Sequence, residues 1–281
     1  MLTTIEQLLP KYAEPVDWSV CLTANWRSHL YSGLLEPVCT GQDVELSDLL
    51  GIDQQKEVVV ENTRQFLAGF PANNILLWGT RGTGKSSLVR AILQRFGKEG
   101  LRLIQVDKSD LVHLPSIVDL IRHEPYRFII FSDDVSFETG ESSYKVLKSA
   151  LDGSVYAVAE NLLIYVTSNR RHLLPEYDTD NRGAMMVNNE IHHGETVEEK
   201  ISLSGRFGLW VGFHPFTQDQ YVDVARQWVI RLWEKGGKKP VWSDELAREA
   251  IDWSHVKGER SGRTAYQFAC DWVGKTLLKE S

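Results

Sequence analysis

Apolar residues in this chain fall into short continuous runs separated by stretches with a helical period. Ile75–Trp78, Leu103–Val106, Phe128–Phe131, Leu162–Thr167 and Leu209–Phe213 have the length and composition of strands buried on both faces. The first is followed by Leu88, Val89, Ile92, Leu93 and Phe96, which repeat as one face of a helix. The other intervening lengths also hold crossover helices, so the pattern predicts an α/β fold with a five-stranded, largely parallel sheet covered on both faces.

The flanks differ in texture. Trp18, Leu22, Trp26, Leu30, Leu34 and Leu35 recur at helix-compatible spacing, predicting a helical N-terminal extension over residues 1–50. Gly51-Ile52-Asp53-Gln54-Gln55-Lys56 opens a helix through Val59, Thr63, Phe66 and Leu67, which Gly69 and Pro71 end. Beyond Pro215 only helical patterns remain. Thr217 and Gln220 form a candidate capping box before Tyr221, Val224, Ala225, Trp228 and Val229; Gly236-Gly237 and Pro240 interrupt; Ser243 caps a second helix; a third runs from Thr264 to Leu277. The expected division is an extension over 1–50, an α/β domain over 51–215 and a small helical lid over 216–281. A polar insertion, Tyr177–Lys200, lies between the fourth and fifth strands.

Composition bounds the function classes. With 31 Lys/Arg against 38 Asp/Glu the formal charge is −7, so a broad nucleic-acid-binding face is not indicated, although a local basic channel can coexist with acidity elsewhere. Cys21, Cys39 and Cys270 form no metal-spaced pair and suit a reducing compartment. No apolar segment approaches a membrane span, and Met1-Leu2-Thr3-Thr4-Ile5-Glu6 lacks a basic secretory lead, so a cytoplasmic location is the expectation. His192-His193 and Asp178-Thr179-Asp180-Asn181 lack the spacing of zinc or calcium sites.

The candidate chemistry gathers at the ends of the apolar runs. Gly79-Thr80-Arg81-Gly82-Thr83-Gly84-Lys85-Ser86, followed by Ser87, joins the first strand to its helix, the context in which backbone N–H groups converge on nucleotide phosphates. There Lys85 supplies a charge to the β- and γ-phosphates and Ser86 a hydroxyl to Mg²⁺. Phe128-Ile129-Ile130-Phe131-Ser132-Asp133-Asp134 delivers two carboxylates to a strand end, Asp133 toward the metal and Asp134 toward the attacking water. Asn169, after the fourth strand, is placed to bond that water or the γ-phosphate, with Thr167 and Ser168 as secondary candidates. Arg170 and Arg171 suit intersubunit salt bridges or a solvated turn. Arg206 either reaches a neighbouring subunit's nucleotide or makes a structural ion pair within its own chain. Arg263 either contacts the γ-phosphate from the lid or is a solvated helix-start residue.

In their order these motifs resemble the AAA+ ATPases, and more narrowly a bacterial AAA+ family of unknown function, over roughly residues 50–281. The resemblance implies a core sheet in the order 5-1-4-3-2 with a C-terminal lid, and ATP and Mg²⁺ as cofactors. It implies an adenine site near Leu49, Leu50 and Ile52, a phosphate loop from Gly79 to Ser86, Asn169 as first sensor, Arg206 as a finger completing an adjacent site, and Arg263 as second sensor. The Asp133-Asp134 pair departs from the commoner Asp-Glu ending. Asp107-Lys108-Ser109-Asp110-Leu111-Val112-His113 lacks an aromatic-hydrophobic-glycine pore loop. The expected function is a Mg²⁺-dependent ATPase, self-associating through a shared ATP site, that remodels or regulates a macromolecular client not identified by the sequence. Alternatives are a nucleotide-controlled adaptor with negligible turnover and a nucleic-acid motor or loader.

Overall fold

The computed structural model describes residues 15–28, 33–38, 44–137, 141–152, 159–171, 173, 185–187, 190–192, 203–235 and 242–280. Its strands are β1 (Thr23–Ser28), β2 (Gly33–Pro37), β3 (Ile75–Gly79), β4 (Leu101–Gln105), β5 (Arg127–Ser132), β6 (Leu162–Ser168), β7 (Met185–Val187), β8 (Glu190–His192) and β9 (Leu209–Phe213). Seven form one sheet in the order β2-β1-β4-β5-β6-β3-β9, while β7 and β8 pair separately. Only β1 and β2 pair antiparallel within the large sheet.

The expectation of a five-stranded sheet in the order 5-1-4-3-2 is therefore overturned. Two strands form where an N-terminal helix was predicted, and they extend the sheet beyond β4. The physical reason lies in the spacing. The four-residue recurrence that suggests a helix runs through Trp18 and Leu22, which lie before β1, and Leu22 packs on the opposite side of the sheet from Trp26. Ala24 and Trp26 are buried while their neighbours are less so, which is the two-residue alternation. Pairing with β1 also supplies hydrogen-bond partners to the edge of β4, which would otherwise be open.

Arg102 fastens this addition. Its buried guanidinium lies 4.0 Å over the Tyr126 ring and donates to the carbonyls of Trp18 (2.6 Å), Gly97 (2.9 Å) and Leu101 (2.8 Å). Trp18 in turn packs edge-on against Phe128, with centroids 5.0 Å apart.

Helices α1 (Asp53–Leu67), α2 (Lys85–Phe96), α3 (Leu114–Ile121), α4 (Ser142–Asp152), α5 (Gln218–Lys235), α6 (Asp244–Lys257) and α7 (Gly262–Glu280) complete the described elements. Alternate strand residues divide the core. Leu77, Ile129, Tyr165 and Phe213 face a cluster built with α1, α2 and the C-terminal helices; Leu76, Ile130, Ile164 and Val166 face one built with α3, α4, Trp18 and Trp26. In the first cluster the Tyr165 hydroxyl lies 2.9 Å from Thr63 Oγ1 and accepts from Asn62 Nδ2 at 3.2 Å, which satisfies a phenol buried in the sheet.

The C-terminal region is helical. The Thr217 amide donates to Gln220 Oε1 (3.0 Å) and the Gln220 amide to Thr217 Oγ1 (3.2 Å), a reciprocal capping box for α5. Ser243 Oγ accepts from the Leu246 amide at 3.2 Å to cap α6. Helix α5 packs against both α6 and α7. Of the polar insertion, β7 and β8 form a short antiparallel pair. Its remainder, including residues 178–181 and His193, lies outside the described residues, as do Cys39 and the 236–240 break.

Candidate functional site

Residues 79–86 leave β3 in a turn that only glycine geometry permits. Gly79 has φ +129°, and a Cβ there would stand 1.9 Å from the Phe213 carbonyl oxygen of neighbouring β9. The next residue, Thr80, donates its amide to that same oxygen at 3.1 Å. Gly82 (φ +73°) and Gly84 (φ +103°) are also left-handed. The buried Thr83 braces the turn by donating from Oγ1 to the Thr80 carbonyl at 2.8 Å. Helix α2 begins at Lys85, followed by Ser86 and Ser87 in its first turn.

Lys85 turns back into the loop. Its Nζ donates to the carbonyls of Gly79 (2.7 Å) and Thr80 (2.8 Å) and to Asn169 Oδ1 (3.2 Å). Burial pushes its pKa down to about 8; the Asp134 and Asp133 charges act against that shift, while Arg81 and Arg263 add to it.

The sheet order carries the predicted acids to the same place. Because β6 lies between β5 and β3, the end of β5 faces the loop across the end of β6. Asp133 Oδ1 accepts from Ser86 Oγ and from Thr167 Oγ1, each at 2.5 Å. The Thr167 hydroxyl also accepts the Asp134 amide at 2.8 Å. Asn169 Nδ2 donates to Asp134 Oδ1, and Arg81 donates to Asp134 Oδ2 at 3.3 Å. Asp134 has φ +52°, a left-handed conformation that aspartate adopts more readily than most residues.

Ser86, Asp133, Thr167, Asp134, Asn169, Lys85 and Arg81 thus form one continuous polar network. Thr167 is more central than its secondary ranking suggested, for its hydroxyl ties the two acids together. The Arg81 contact was not anticipated: the motif marks a loop arginine, but its carboxylate partner comes from another strand end. Ser261 was missed altogether. Its buried Oγ would lie 2.7 Å from a Cβ on Gly82, so the turn before α7 packs directly on the loop.

The remaining candidates separate. The Arg263 amide donates to the Gly82 carbonyl at 3.3 Å, bringing the start of α7 to the loop. Arg206 forms an ion pair with Asp152 at the C-terminal end of α4. Ile52 is buried, with Cδ1 3.5 Å from where a Cβ on Gly84 would lie. Leu49 and Leu50 pack partly buried against the same core. Leu50 and Gly51 also border an open cavity of about 600 Å³ whose far wall includes Gln220, Asp223 and Gln227 of α5. Arg171 stacks 5.3 Å over the Trp78 ring, and the Arg170 amide donates to Ser168 Oγ at 3.1 Å, which gives both a place in the turn after β6. Among the described residues there is no cluster of three or more His, Cys, Asp or Glu side chains arranged for a metal, and no helix is long and apolar enough to cross a membrane.

Comparison with solved structures gives an AAA+-like fold. The Orc1 protein of Aeropyrum pernix, solved in complex with DNA, is 15% identical with a TM-score of 0.56, covering 83% of this chain and 62% of its own. The RuvB Holliday junction branch migration motor of Thermotoga maritima is 14% identical with a TM-score of 0.44, covering 82% of this chain and 72% of its own. At these identities the likeness concerns the fold alone. No curated protein sequence matches. A family pattern does match, over residues 19–276, and by it the chain belongs to the DUF815 family of proteins of unknown function.

Proposed function

We propose that this protein is a Mg²⁺-dependent ATPase whose nucleotide lies on residues 79–86 and whose turnover acts on a macromolecular partner. The observation that carries this function is the convergence of Lys85, Ser86, Asp133, Asp134 and Asn169, drawn from three chain segments, around one glycine-rich turn. Such a constellation supplies positioning and charge stabilisation, which are the main requirements of phosphoryl transfer.

In this proposal the loop amides and Lys85 hold the phosphates. Ser86 Oγ and Asp133 Oδ1 are held side by side by one hydrogen bond, a hard oxygen pair that would suit Mg²⁺. The ion, when bound, neutralises charge on the transferring phosphoryl group. Asp134 orients the attacking water, Asn169 holds Asp134 and Lys85 in register, and Arg263 approaches from the helical lid. Leu49, Leu50 and Ile52 border the adenine. Arg206 serves a neighbouring copy after leaving Asp152, which makes self-association part of the chemistry.

ATP turnover by the wild-type chain, lost in both Lys85→Ala and Asp134→Asn, is the expected result; undiminished turnover in both variants would falsify the assignment. Mixing Arg206→Ala with Lys85→Ala chains should restore part of the activity, since each supplies what the other lacks. A second reading, a nucleotide-controlled adaptor, draws support from Asp134 having both carboxylate oxygens engaged. It expects tight MgATP binding with no phosphate release. The DNA in the Orc1 structure belongs to that protein, and a chain of formal charge −7 offers no general attraction to a second polyanion.

A further inference from the structure

Arg81 is the charged side chain within the turn itself, between Gly79 and Gly82. Its guanidinium crosses to the end of β5 and donates to Asp134 Oδ2 at 3.3 Å. The other anchors of Asp134 come from β6 and the residue after it: Thr167 accepts its amide, and Asn169 donates to Oδ1. Backbone and one oxygen are therefore held by neutral groups beside the strand, while Oδ2 is held by a cation carried on the loop.

That cation has a competitor. A polyphosphate on the loop would bring several negative charges to the turn that carries Arg81, and guanidinium matches phosphate oxygens with paired hydrogen bonds. The existing pair is exposed on both sides, with side-chain exposures of 70% for Arg81 and 56% for Asp134. Exposed pairs of this kind are weak and readily exchanged.

We propose that Arg81–Asp134 is a latch that the bound nucleotide opens. With the pair made, Arg81 occupies Oδ2 of the carboxylate; a bound triphosphate draws the guanidinium to its own oxygens and frees Oδ2 for water. Arg81 is then a positioning residue acting through Asp134, and it makes the carboxylate available only when the site is filled. This inference rests on the ATP site proposed above and adds a means of regulating it.

The test is a double-mutant cycle on binding rather than turnover. A non-hydrolysable ATP analogue with Mg²⁺ is titrated calorimetrically into the full chain as wild type, Arg81→Gln, Asp134→Asn and the double variant. Asparagine tolerates the left-handed backbone at 134, and glutamine keeps part of the Arg81 stem, so thermal unfolding should show all four folded. General repulsion between Asp134 and phosphate acts in both backgrounds and cancels in the cycle. The latch requires Asp134→Asn to tighten binding by at least about three-fold more when Arg81 is present than when it is glutamine. Equal gains in the two backgrounds overturn the latch and leave the nucleotide site standing. No binding by the wild type or any variant overturns both.

Discussion

Ser86 Oγ donates to Asp133 Oδ1 at 2.5 Å, joining the first turn of α2 to the end of β5 although β6 lies between the strands that lead to them. A hydroxyl and a carboxylate held this close are prepared to share a cation. Replacing Ser86 with alanine should raise the Mg²⁺ concentration for half-maximal turnover about ten-fold. Nucleotide binding without Mg²⁺ should change far less. Metal titrations of both chains check this, and equal loss with and without Mg²⁺ would count against a metal role for Ser86.

The depressed Lys85 pKa gives a pH signature. Only the protonated amine attracts phosphate, and burial lowers its pKa in the free protein to about 8. Below that value affinity for MgATP should be nearly flat. Above it, affinity should fall by up to about ten-fold per pH unit, because binding must first restore the proton. Lys85→Met should bind weakly and without that slope, as calorimetry from pH 7 to 9.5 would reveal.

Two glycines of the loop should fail differently. At Gly79 an added methyl meets backbone, the Phe213 carbonyl at 1.9 Å, so Gly79→Ala should strain the β3–β9 seam and cost more than about 3 kcal/mol of folding stability. At Gly82 the obstacle is the Ser261 side chain at 2.7 Å, and the left-handed backbone adds a penalty of about 1–2 kcal/mol. Gly82→Ala should therefore remain folded while releasing the turn before α7. Denaturant unfolding, with hydrogen exchange over residues 258–266, separates the two outcomes.

Arg102 should matter for the added strands. Removing its guanidinium takes the donor from three carbonyls, two of them on other segments. Arg102→Met should cost about 2–4 kcal/mol. Hydrogen exchange should rise first over residues 18–28, where β1 pairs with β4, and then over 33–37, which pair with β1.

Whether an element was legible depended on how local its cause is. Leu209–Phe213 and the apolar centres of the other parallel strands are runs whose burial needs no knowledge of their neighbours. The capping box at Thr217 and Gln220 is equally local. β1 was misjudged because Leu22 and Trp26 read as one helix face, whereas Leu22 lies before the strand and packs on the opposite side from Ala24 and Trp26, and only the open edge of β4 makes the strand. At the site, the loop and the acids were readable as motifs. The Arg81–Asp134 and Arg206–Asp152 pairs were not, because 53 and 54 residues separate their members and the fold alone brings them together.

Thr80 is bonded to the Phe213 carbonyl at 3.1 Å, and Gly82 to the Arg263 amide at 3.3 Å. Four residues separate Phe213 from the start of α5, and Arg263 lies in the first turn of α7. The glycine-rich turn is thus mounted at two points on the roots of the C-terminal helices, like a spring clipped across a hinge. A tilt of those helices would therefore load the turn through both bonds at once.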